Sequence, residues 1–398
     1  MSMPDFNARS KKIENAVVAW RRHFHSFPEL SFNEKETSAF IAAALEKMGC
    51  DNVTIGTCGR PTGVIADITG GRPGRRAALR ADMDALPVTE ETGLPFASRH
   101  PGIMHACGHD GHMAMLLGAA QMLCEVKEQL PGAVRLIFQP SEESAEFIQG
   151  ARAVVEDGHA LAGVDAIFGV HLWSPLPAGL LGWRAGPMMA CSDSWTVKLH
   201  GQGGHGASPH QTHDPTVAAA QIICALQTFV SREIDPLKSA VLSTGIMKAG
   251  GAFNVIPSEV ELTGTARSFE PQISMDCEAF IRRMAENIGA AFRCTADLDY
   301  RRNLPPTVND PAMAKLGAEI GKPIFGADKV QEVPPTMGGE DFSFYLEKVP
   351  GAFFFIGSGD KDKGTDWPHH HCRFTIDESQ LRKGAAFEAS CAWAFLNQ

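Results

Sequence analysis

The chain has 398 residues, of which 44% are hydrophobic and 21% charged, and its formal net charge is −10. These values are typical of a folded globular protein, and the length predicts more than one domain. No run of Lys and Arg predicts a nucleic acid or an anionic membrane as partner, so we expect neither.

The first part of the chain alternates helical and strand patterns. Its last predicted strand is almost wholly apolar, as expected of a strand that is covered on both faces. The alternation predicts an α/β fold with a mainly parallel sheet sandwiched by helices. The predicted elements are helices at 7–48 (interrupted near Phe27) and 112–127, and strands at 76–80, 134–138 and 165–172.

The pattern changes near Cys191 to the order strand, helix, strand, strand, helix, strand. This order predicts an inserted ferredoxin-like α+β domain, whose open outer strand a second copy of the chain could cover. We therefore predict a catalytic domain of residues 1–188 and 304–398 and a dimerisation domain of residues 189–303. The elements of the insert are predicted at 195–199, 214–231, 240–247, 259–267, 274–291 and 293–300.

The start of the chain and its cysteines bear on location. The first ten residues are polar and lack the basic and apolar regions of a secretory signal. No apolar run reaches the roughly 20 residues that a membrane-spanning helix needs. The ten cysteines have no regular spacing, so no disulfide framework is indicated. We expect a cytoplasmic protein with reduced thiols.

Residues 104–112 contain three His, one Cys and one Asp directly before a predicted helix. Thiolate and imidazole are the ligands that zinc and similar metals prefer. Cys107 and His109 are two residues apart, so a turn can direct both inward, and His112 shares a helix face with His109. A helix cap beside a buried thiol is the alternative, but the flanking glycines favour a metal site.

Other candidate ligands lie farther along the chain. Glu142 and Glu143 directly follow a predicted strand, where ligands collect in parallel sheets. Adjacent buried carboxylates repel each other unless a cation neutralises one, although a solvated surface pair is the alternative. His171 ends an apolar strand, where a core histidine is the alternative. At least one of the histidines at 369–371 is expected to face inward.

The predicted insert offers groups for a substrate. Its glycine-rich turn at 201–207 carries His205 but lacks the Lys-Ser/Thr of a phosphate loop. Asn254 adds an amide, and Arg267 lies at the end of a predicted strand. A guanidinium there could bind a substrate carboxylate through two hydrogen bonds, with a surface salt bridge as the alternative.

Together these segments resemble the metallopeptidase family of aminoacylases. The likeness is closest to the branch that holds hippurate hydrolase, N-acetyldiaminopimelate deacetylase and the plant auxin-conjugate hydrolases, and it covers nearly the whole chain. The residues that carry it are 80–87, 104–112, 138–143, His171, 203–210, 254–257, 336–342 and His370.

The resemblance implies a site for two divalent metal ions per subunit, and the mixed thiolate, imidazole and carboxylate donors suit zinc, manganese, cobalt or nickel. Glu142 would be the general base and Asp84 an acid beside the site. The implied ligands are Cys107, His109, Glu143, His171 and His370. The implied substrate contacts are His205, Asn254, Arg267 and the turn Gly338-Gly339. In the family the inserted domain dimerises, and the His that matches His205 comes from the partner subunit.

We therefore expect a homodimeric, or dimer-based, amidohydrolase that cleaves N-acetyl or N-aroyl amino acids to a carboxylic acid and a free amino acid. A metallo-carboxypeptidase or dipeptidase with the same chemistry is the alternative enzyme. A metal- or peptide-binding protein without turnover is the other alternative, against which the candidate base Glu142 argues. One departure from close relatives is Cys372, which stands where they usually have Pro and adds a thiol near His370.

Overall fold

The computed structural model describes residues 3–56, 61–144, 150–156 and 159–398. Within these residues the helices are α1 (Phe6–Ser26), α2 (Lys35–Met48), α3 (His109–Cys124), α4 (Gly150–Glu156), α5 (Pro215–Leu226), α6 (Pro271–Ala291), α7 (Pro311–Phe325), α8 (Ser343–Leu346) and α9 (Leu381–Leu396). The strands are β1 (Asp51–Ile55), β2 (Val64–Thr69), β3 (Arg72–Asp82), β4 (Pro131–Gln139), β5 (Ala166–Pro177), β6 (Leu181–Trp183), β7 (Gly186–Met189), β8 (Ser192–His200), β9 (Gly204–His205), β10 (Ala240–Ala249), β11 (Val255–Ile256), β12 (Glu259–Ser268), β13 (Thr295–Leu304), β14 (Thr307–Asn309), β15 (Val330–Glu332) and β16 (Gly351–Gly359). In this described part, no helix combines the length and the apolar character needed to cross a membrane.

The chain divides into two compact units. The first comprises Met1–Met188, Val308–Pro334 and Asp341–Gln398, and the second comprises Met189–Thr307 and Pro335–Glu340. The second unit therefore runs past residue 303, where the insert was predicted to end. It also takes up the short segment that contains the Gly338-Gly339 turn.

The first unit is built on an eight-stranded sheet with the order β1-β2-β4-β3-β5-β16-β6-β15. At its centre β4, β3, β5 and β16 are parallel neighbours. Antiparallel neighbours join on both sides, through β1 and β2 on one and β6 on the other. The predicted α/β fold is thus confirmed as a mixed, mostly parallel sheet, and the antiparallel strands are additions to the prediction.

The alternating side chains of β5 show how helices cover the sheet. Phe168 and Leu172 lie on one face, in the large apolar core that α1, α3 and α9 also line. Gly169 faces the other way, where an added Cβ would approach the rings of Phe342 and Phe353 within 3.0 Å. Phe342 directly precedes α8, and α8 packs against α4. Helices therefore flank the sheet on both faces.

Helix α3 is buried on nearly every side, and its first turn contains the end of the 104–112 motif. It begins at His109, so the predicted start at His112 is three residues late. Gly111 in its first turn faces β5, where an added Cβ would lie 2.4 Å from Cδ1 of Leu172. This close approach holds the first turn of α3 against β5.

The second unit contains a four-stranded antiparallel sheet of order β10-β12-β8-β13, with α5 and α6 packed on it. This order is the ferredoxin-like arrangement that the sequence predicts. Strand β10 is one edge of the sheet and exposes Ile246 and Met247. The last strand begins at Thr295 rather than at Arg293, because Arg293 has a φ of 61° and terminates the turn after α6.

Candidate metal centre

Three neighbouring parallel strands deliver polar side chains to one edge of the first unit's sheet. β3 ends at Asp82 and β4 ends at Gln139, and these two residues are in register. β5 carries His171, one strand farther along. The carboxyl ends of parallel strands are where ligands bind in open α/β sheets.

The five predicted ligands come together at this edge. Cys107, His109 and His171 form one group, and Cys107, Glu143 and His370 form a second. Within each group the potential ligand atoms lie within 4.8 Å of one another. The two groups share Cys107, so all five donors belong to one continuous cluster.

The rings of His109 and His171 each direct one nitrogen into this cluster. Nδ1–H of His109 donates to the carbonyl of Asp84 at 2.9 Å, and Nδ1–H of His171 donates to the carbonyl of Leu172 at 2.7 Å. Nε2 of His171 then lies 3.5 Å from Sγ of Cys107. Nε2 of His109 is buried and has no hydrogen-bond partner among the described residues. Metal-binding histidines are oriented in this way, with the other ring N–H held by an acceptor.

His112, another histidine of the 104–112 motif, has both ring nitrogens engaged. Its Nδ1–H donates to Oδ1 of Asp82 at 2.6 Å, and its Nε2 accepts the N–H of Leu172 at 2.8 Å. His112 therefore links α3 to β3 and β5 instead of offering a lone pair to a metal. This linking role was not visible in the sequence, where His112 shares its helix face with His109.

Of the three consecutive histidines, only His370 points a ring nitrogen at the cluster within the described structure, with Nε2 at 3.1 Å from Oε1 of Glu143. His369 donates from Nε2 to a backbone carbonyl of β5, and His371 stacks on Trp367. His370 has a φ of 66°, and its N–H donates to a backbone carbonyl beside Cys107 at 2.8 Å. A left-handed non-glycine residue is costly and is typical of functional sites.

Gly108 lies between two of the candidate ligands and makes their turn possible. It is the residue that precedes α3, and its φ of 97° lies in the region that favours glycine. The turn lets Cys107 and His109 face the same cluster, as their two-residue spacing predicts. The helix also begins here, so His109 occupies its first position.

The loop that follows β4 is held by the carboxylate of Asp84. Its Oδ1 accepts the N–H of Glu142 at 3.1 Å, and its Oδ2 accepts the N–H of Glu143 at 2.9 Å. Oδ2 also accepts the hydroxyl of Ser31 at 2.6 Å. Asp84 is 1% exposed, so these charge-assisted hydrogen bonds are shielded from solvent. Asp84 therefore fixes the backbone from which both glutamates project, and Glu142 lies in a third donor group with Glu143 and His109.

The first residue of the same loop has its own buried support. Ser141 has a φ of 60°, and its N–H donates to Oε1 of Glu34 at 2.9 Å. Burial, together with the nearby charge of Asp84, raises the pKa of Glu34 to about 7. Neither Glu34 nor Ser31 stood out in the sequence, because both lie more than 100 residues before the loop and outside any motif.

The cluster has an excess of negative charge. Burial alone lowers the pKa of His109, but Asp82, Asp84 and Glu143 outweigh it and raise this pKa to about 10. Burial and then the charge of Glu143 raise the pKa of the Cys107 thiol well above its ordinary value. A place that stabilises imidazolium and disfavours thiolate in this way favours a cation. A bound metal ion would reverse the effect on the thiol, because it deprotonates a coordinating thiol outright.

Arg80 compensates only part of this charge. It donates to Oδ2 of Asp82 at 2.8 Å and also to Oδ1 of Asp341 at 2.6 Å. Its Nε donates to Gln139 at 2.7 Å, and the hydroxyl of Tyr345 donates to the same amide oxygen at 3.1 Å. One guanidinium is thus shared between two carboxylates. The residues present therefore fit a site for divalent cations. They offer a mixed donor set, several carboxylates close together and, among the described residues, a buried imidazole nitrogen without a hydrogen-bond partner.

The predicted substrate residues lie in the second unit. His205 of β9 pairs with Val255 of β11, and the carbonyl of Asn254 accepts the N–H of Gly206 at 2.8 Å, so His205 and Asn254 share one two-stranded ribbon. Nδ1 of the exposed His205 accepts the N–H of Ala207 at 3.0 Å. The proton of a neutral imidazole is therefore on Nε2, which can act as a donor.

Arg267 and the predicted glycine turn lie elsewhere in the same unit. Arg267, in β12, is half-buried and donates from Nη1 to the carbonyl of Ala266 at 3.0 Å. The carbonyl of Gly338 accepts the N–H of Ala190 at 3.0 Å. An added Cβ on Gly339 would lie 2.9 Å from Cδ1 of Leu304, so this position has no room for a side chain.

The chain is similar to known proteins along nearly its whole length. Residues 78–394 match peptidase family M20/M25/M40. The chain belongs to this family. It is 43% identical over 375 residues to N-acetyl-L-cysteine deacetylase of Bacillus subtilis, covering 94% of this chain and 87% of the relative. It is 40% identical over 389 residues to thermostable carboxypeptidase 1 of Saccharolobus solfataricus, covering 98% and 97%.

A solved structure of the family gives the same fold. The YxeP protein of Bacillus subtilis, described as a dinuclear metal-binding peptidase of family M20, has a TM-score of 0.83 and 37% identity, covering 97% of this chain and 99% of that one. These comparisons confirm the predicted family and its aminoacylase branch. The chain is therefore a hydrolase of the M20 family. Its candidate metal-binding groups lie near the carboxyl ends of the parallel strands.

Proposed function

We propose that the chain is a metal-dependent amidohydrolase that cleaves the amide bond of N-acyl amino acids. The observation that carries this proposal is the mostly buried set of thiol, imidazole and carboxylate donors, with only His370 exposed, beside a further glutamate, Glu142. The relationship to an N-acetyl-L-cysteine deacetylase supports the substrate class, because that relative's name describes removal of an acyl group from an amino acid.

The proposed cofactor is a pair of divalent ions per subunit, either zinc, manganese, cobalt or nickel. Two overlapping donor groups support two ions rather than one. When bound, such ions polarise the scissile carbonyl and lower the pKa of an attacking water. The proposed ligands are Cys107, His109, Glu143, His171 and His370.

Glu142 is the proposed general base. Its carboxylate would accept a proton from the attacking water and return it to the nitrogen of the leaving amine. Asp84 would act as a positioning residue, because it holds the N–H groups of both Glu142 and Glu143 without taking part in proton transfer. This assignment separates two adjacent glutamates into one that moves protons and one that binds metal.

The proposed substrate contacts come from the second unit. Arg267 and Asn254 would hold the carboxylate of the amino acid and so orient the amide bond. The Nε2–H of His205 would donate to the developing oxyanion, an effect worth about 3–4 kcal/mol for a good donor. The Gly338-Gly339 turn would also contact the bound substrate.

The chain is also proposed to form a homodimer, or an oligomer built from dimers, in which His205 of one copy serves the site of the other. The exposed apolar residues Ile246 and Met247 on the edge strand β10 support such pairing. Mixing Glu142→Gln with His205→Ala protein under conditions of subunit exchange tests it. Mixed dimers then contain one intact site, so activity should return toward about a quarter of wild type. Verified exchange without recovery of activity would refute the arrangement.

A panel of N-acyl amino acids and dipeptides tests the reaction itself. Release of free amine is measured with and without a chelator, and Glu142→Gln serves as the negative control. Rapid, chelator-sensitive cleavage of N-acetyl or N-benzoyl amino acids supports the proposal. Cleavage of peptides alone would favour the second candidate, a metallo-carboxypeptidase or dipeptidase, to which the similarity to thermostable carboxypeptidase 1 points. Metal binding without turnover of any member would indicate a binding protein.

A further inference from the structure

Two thiols of the first unit lie in contact outside the candidate metal centre. Sγ of Cys50 and Sγ of Cys124 are 3.6 Å apart, and both residues are half-buried. Neither belongs to the donor groups described above. We propose that this pair is an oxidative modification site, at which a low-molecular-weight disulfide such as glutathione disulfide converts the two thiols into one intramolecular disulfide.

The backbone fixes both thiols near the distance that a disulfide requires. Cys50 follows Gly49, the left-handed residue after α2, and its N–H donates to the carbonyl of Leu45 at 3.1 Å. Cys124 is the last residue of α3, against which α2 packs. A disulfide has an S–S distance of about 2.05 Å, so the sulfur atoms must approach by roughly 1.5 Å. The proposal assigns this approach to rotation of the two side chains, which both lie at helix ends.

The surroundings make Cys124 the thiol that reacts first. Cys124 lines a surface cavity of about 670 Å³ together with Trp20, Phe40 and Lys47, so a small reagent has access to it. Nζ of Lys127 donates to the carbonyl of the residue before Cys50 at 3.3 Å, which brings a positive charge close to the pair. The pKa of Cys124 is lowered, first by the hydrogen bond of this thiol with Cys50 and then by the charge of Lys127. The thiolate is the nucleophile in disulfide exchange.

The exchange balances in two steps. The Cys124 thiolate attacks one sulfur of glutathione disulfide, forms a mixed disulfide and releases one glutathione thiolate. Cys50 then loses its proton to solvent and attacks Sγ of Cys124, which expels the second glutathione thiolate. The protein loses two electrons and two protons, and the added disulfide is reduced to two molecules of glutathione.

The cross-link would close a long loop around part of the candidate metal centre. Cys50 and Cys124 are 74 positions apart in sequence, and Cys107 and His109 lie between them. A disulfide across so long a loop restricts the unfolded chain and stabilises the fold. The oxidised protein is therefore expected to melt roughly 3–8 °C above the reduced protein.

Peptide mapping of the intact, metal-loaded protein tests the proposal. The protein is equilibrated with glutathione disulfide, alkylated without reduction and digested with trypsin. The expected product is one cross-linked peptide pair whose fragment ions place the bond at Cys50 and Cys124. Fragment ions are needed because these tryptic peptides also contain Cys58 and Cys107. Addition of dithiothreitol should reverse the cross-link and the shift in Tm.

Variants separate the two thiols. Cys50→Ser should stop at the mixed disulfide of Cys124 with glutathione, and Cys124→Ser should form no cross-link to Cys50. Cys58→Ser and the exposed-site control Cys224→Ser should both cross-link like wild type. Alkylation of both thiols after equilibration, a cross-link between other cysteines, or a Tm that does not rise in the cross-linked protein would overturn the proposal. Peptide mapping of the wild type decides the chemistry even where a variant fails to fold, and it does not depend on amidohydrolase activity.

Discussion

The carboxylate of Asp84 gives the sharpest prediction about how the site is held. Asp84→Asn keeps the shape of the side chain but replaces one acceptor oxygen by an NH₂ group. Oδ2 accepts two hydrogen bonds, whereas Oδ1 accepts one from Glu142 and lies 3.3 Å from Nδ1 of His109. Nδ1–H of His109 has a second acceptor in the carbonyl of Asp84, so the new amide is expected to keep its oxygen at the Oδ2 position. The NH₂ group then faces the N–H of Glu142, and two donors meet where a charge-assisted bond existed.

The size of the effect follows from that lost bond. A hydrogen bond to a charged group contributes about 1.5–3 kcal/mol, and a donor left unpaired in a buried place costs a similar amount. If about 2–3 kcal/mol is lost from the active position of the Glu142 backbone, the rate falls roughly 30–150-fold. Metal content should change less, because the N–H of Glu143 keeps its acceptor.

The assay is steady-state hydrolysis of an N-acyl amino acid, with metal content measured on the same samples. Ser31→Ala is the matched control, since it removes one donor to Asp84 and leaves both glutamate N–H bonds intact. It should lower kcat by less than about tenfold. A rate within twofold of wild type for Asp84→Asn in a correctly folded protein would show that Asp84 does not position Glu142.

Other consequences can be measured independently. Glu142→Gln should lower kcat by at least roughly 10²-fold and retain metal. Glu143→Gln should instead lose metal. The reverse result would show that the two roles are exchanged. Esterifying the substrate carboxylate should reduce kcat/KM more than replacing acetyl by benzoyl, because Arg267 is proposed to bind the carboxylate. An ester that is cleaved as fast as its free acid would refute that contact. Burial and the charge of Arg21 lower the pKa of His25, but its hydrogen bonds to Asp110 and Glu90 outweigh both and raise this pKa above its ordinary value. The Tm difference between wild type and His25→Gln should therefore be largest below about pH 6.5 and shrink as the pH rises above that value. A difference that grows toward alkaline pH would contradict the charged state of His25.

Several candidate site residues could be picked out from the sequence because each stands in a local pattern, whereas the choice of His370 among three consecutive histidines came from the family resemblance. Cys107 and His109 flank a glycine before a helix, and Glu142 and Glu143 follow an apolar strand. The carboxyl ends of parallel strands meet at one edge of a sheet, so these local patterns also imply proximity. His171 needed the same reasoning and could equally have been a core residue.

The supporting contacts could not be found in this way, because they join distant parts of the chain. Arg80 and Asp341 are 261 positions apart, and no local pattern marks their ion pair. His112 satisfies every periodicity rule for a ligand on the same face as His109, yet its ring bonds Asp82 and a backbone N–H. Which nitrogen is free depends on tertiary neighbours that the sequence does not reveal.

The second unit extends beyond the predicted bounds of 189–303 for a similar reason. The segment Pro335–Glu340 is separated from the rest of that unit by the 27 residues Val308–Pro334 of the first unit. It is held through the N–H of Ala190, which donates to the carbonyls of Thr336 and Gly338 at 3.1 and 3.0 Å. Backbone hydrogen bonds of this kind leave no trace in composition or periodicity.

The claim that metal ions held by these donors are required for hydrolysis is tested most directly on a single preparation. Metal content by elemental analysis and the rate of N-acyl amino acid cleavage are measured before chelation, after chelation and after adding back zinc, manganese, cobalt or nickel. We predict about two ions per chain at full activity, loss of both metal and activity on chelation, and recovery of both with at least one of these metals. Full activity in protein shown to be free of metal would contradict the claim.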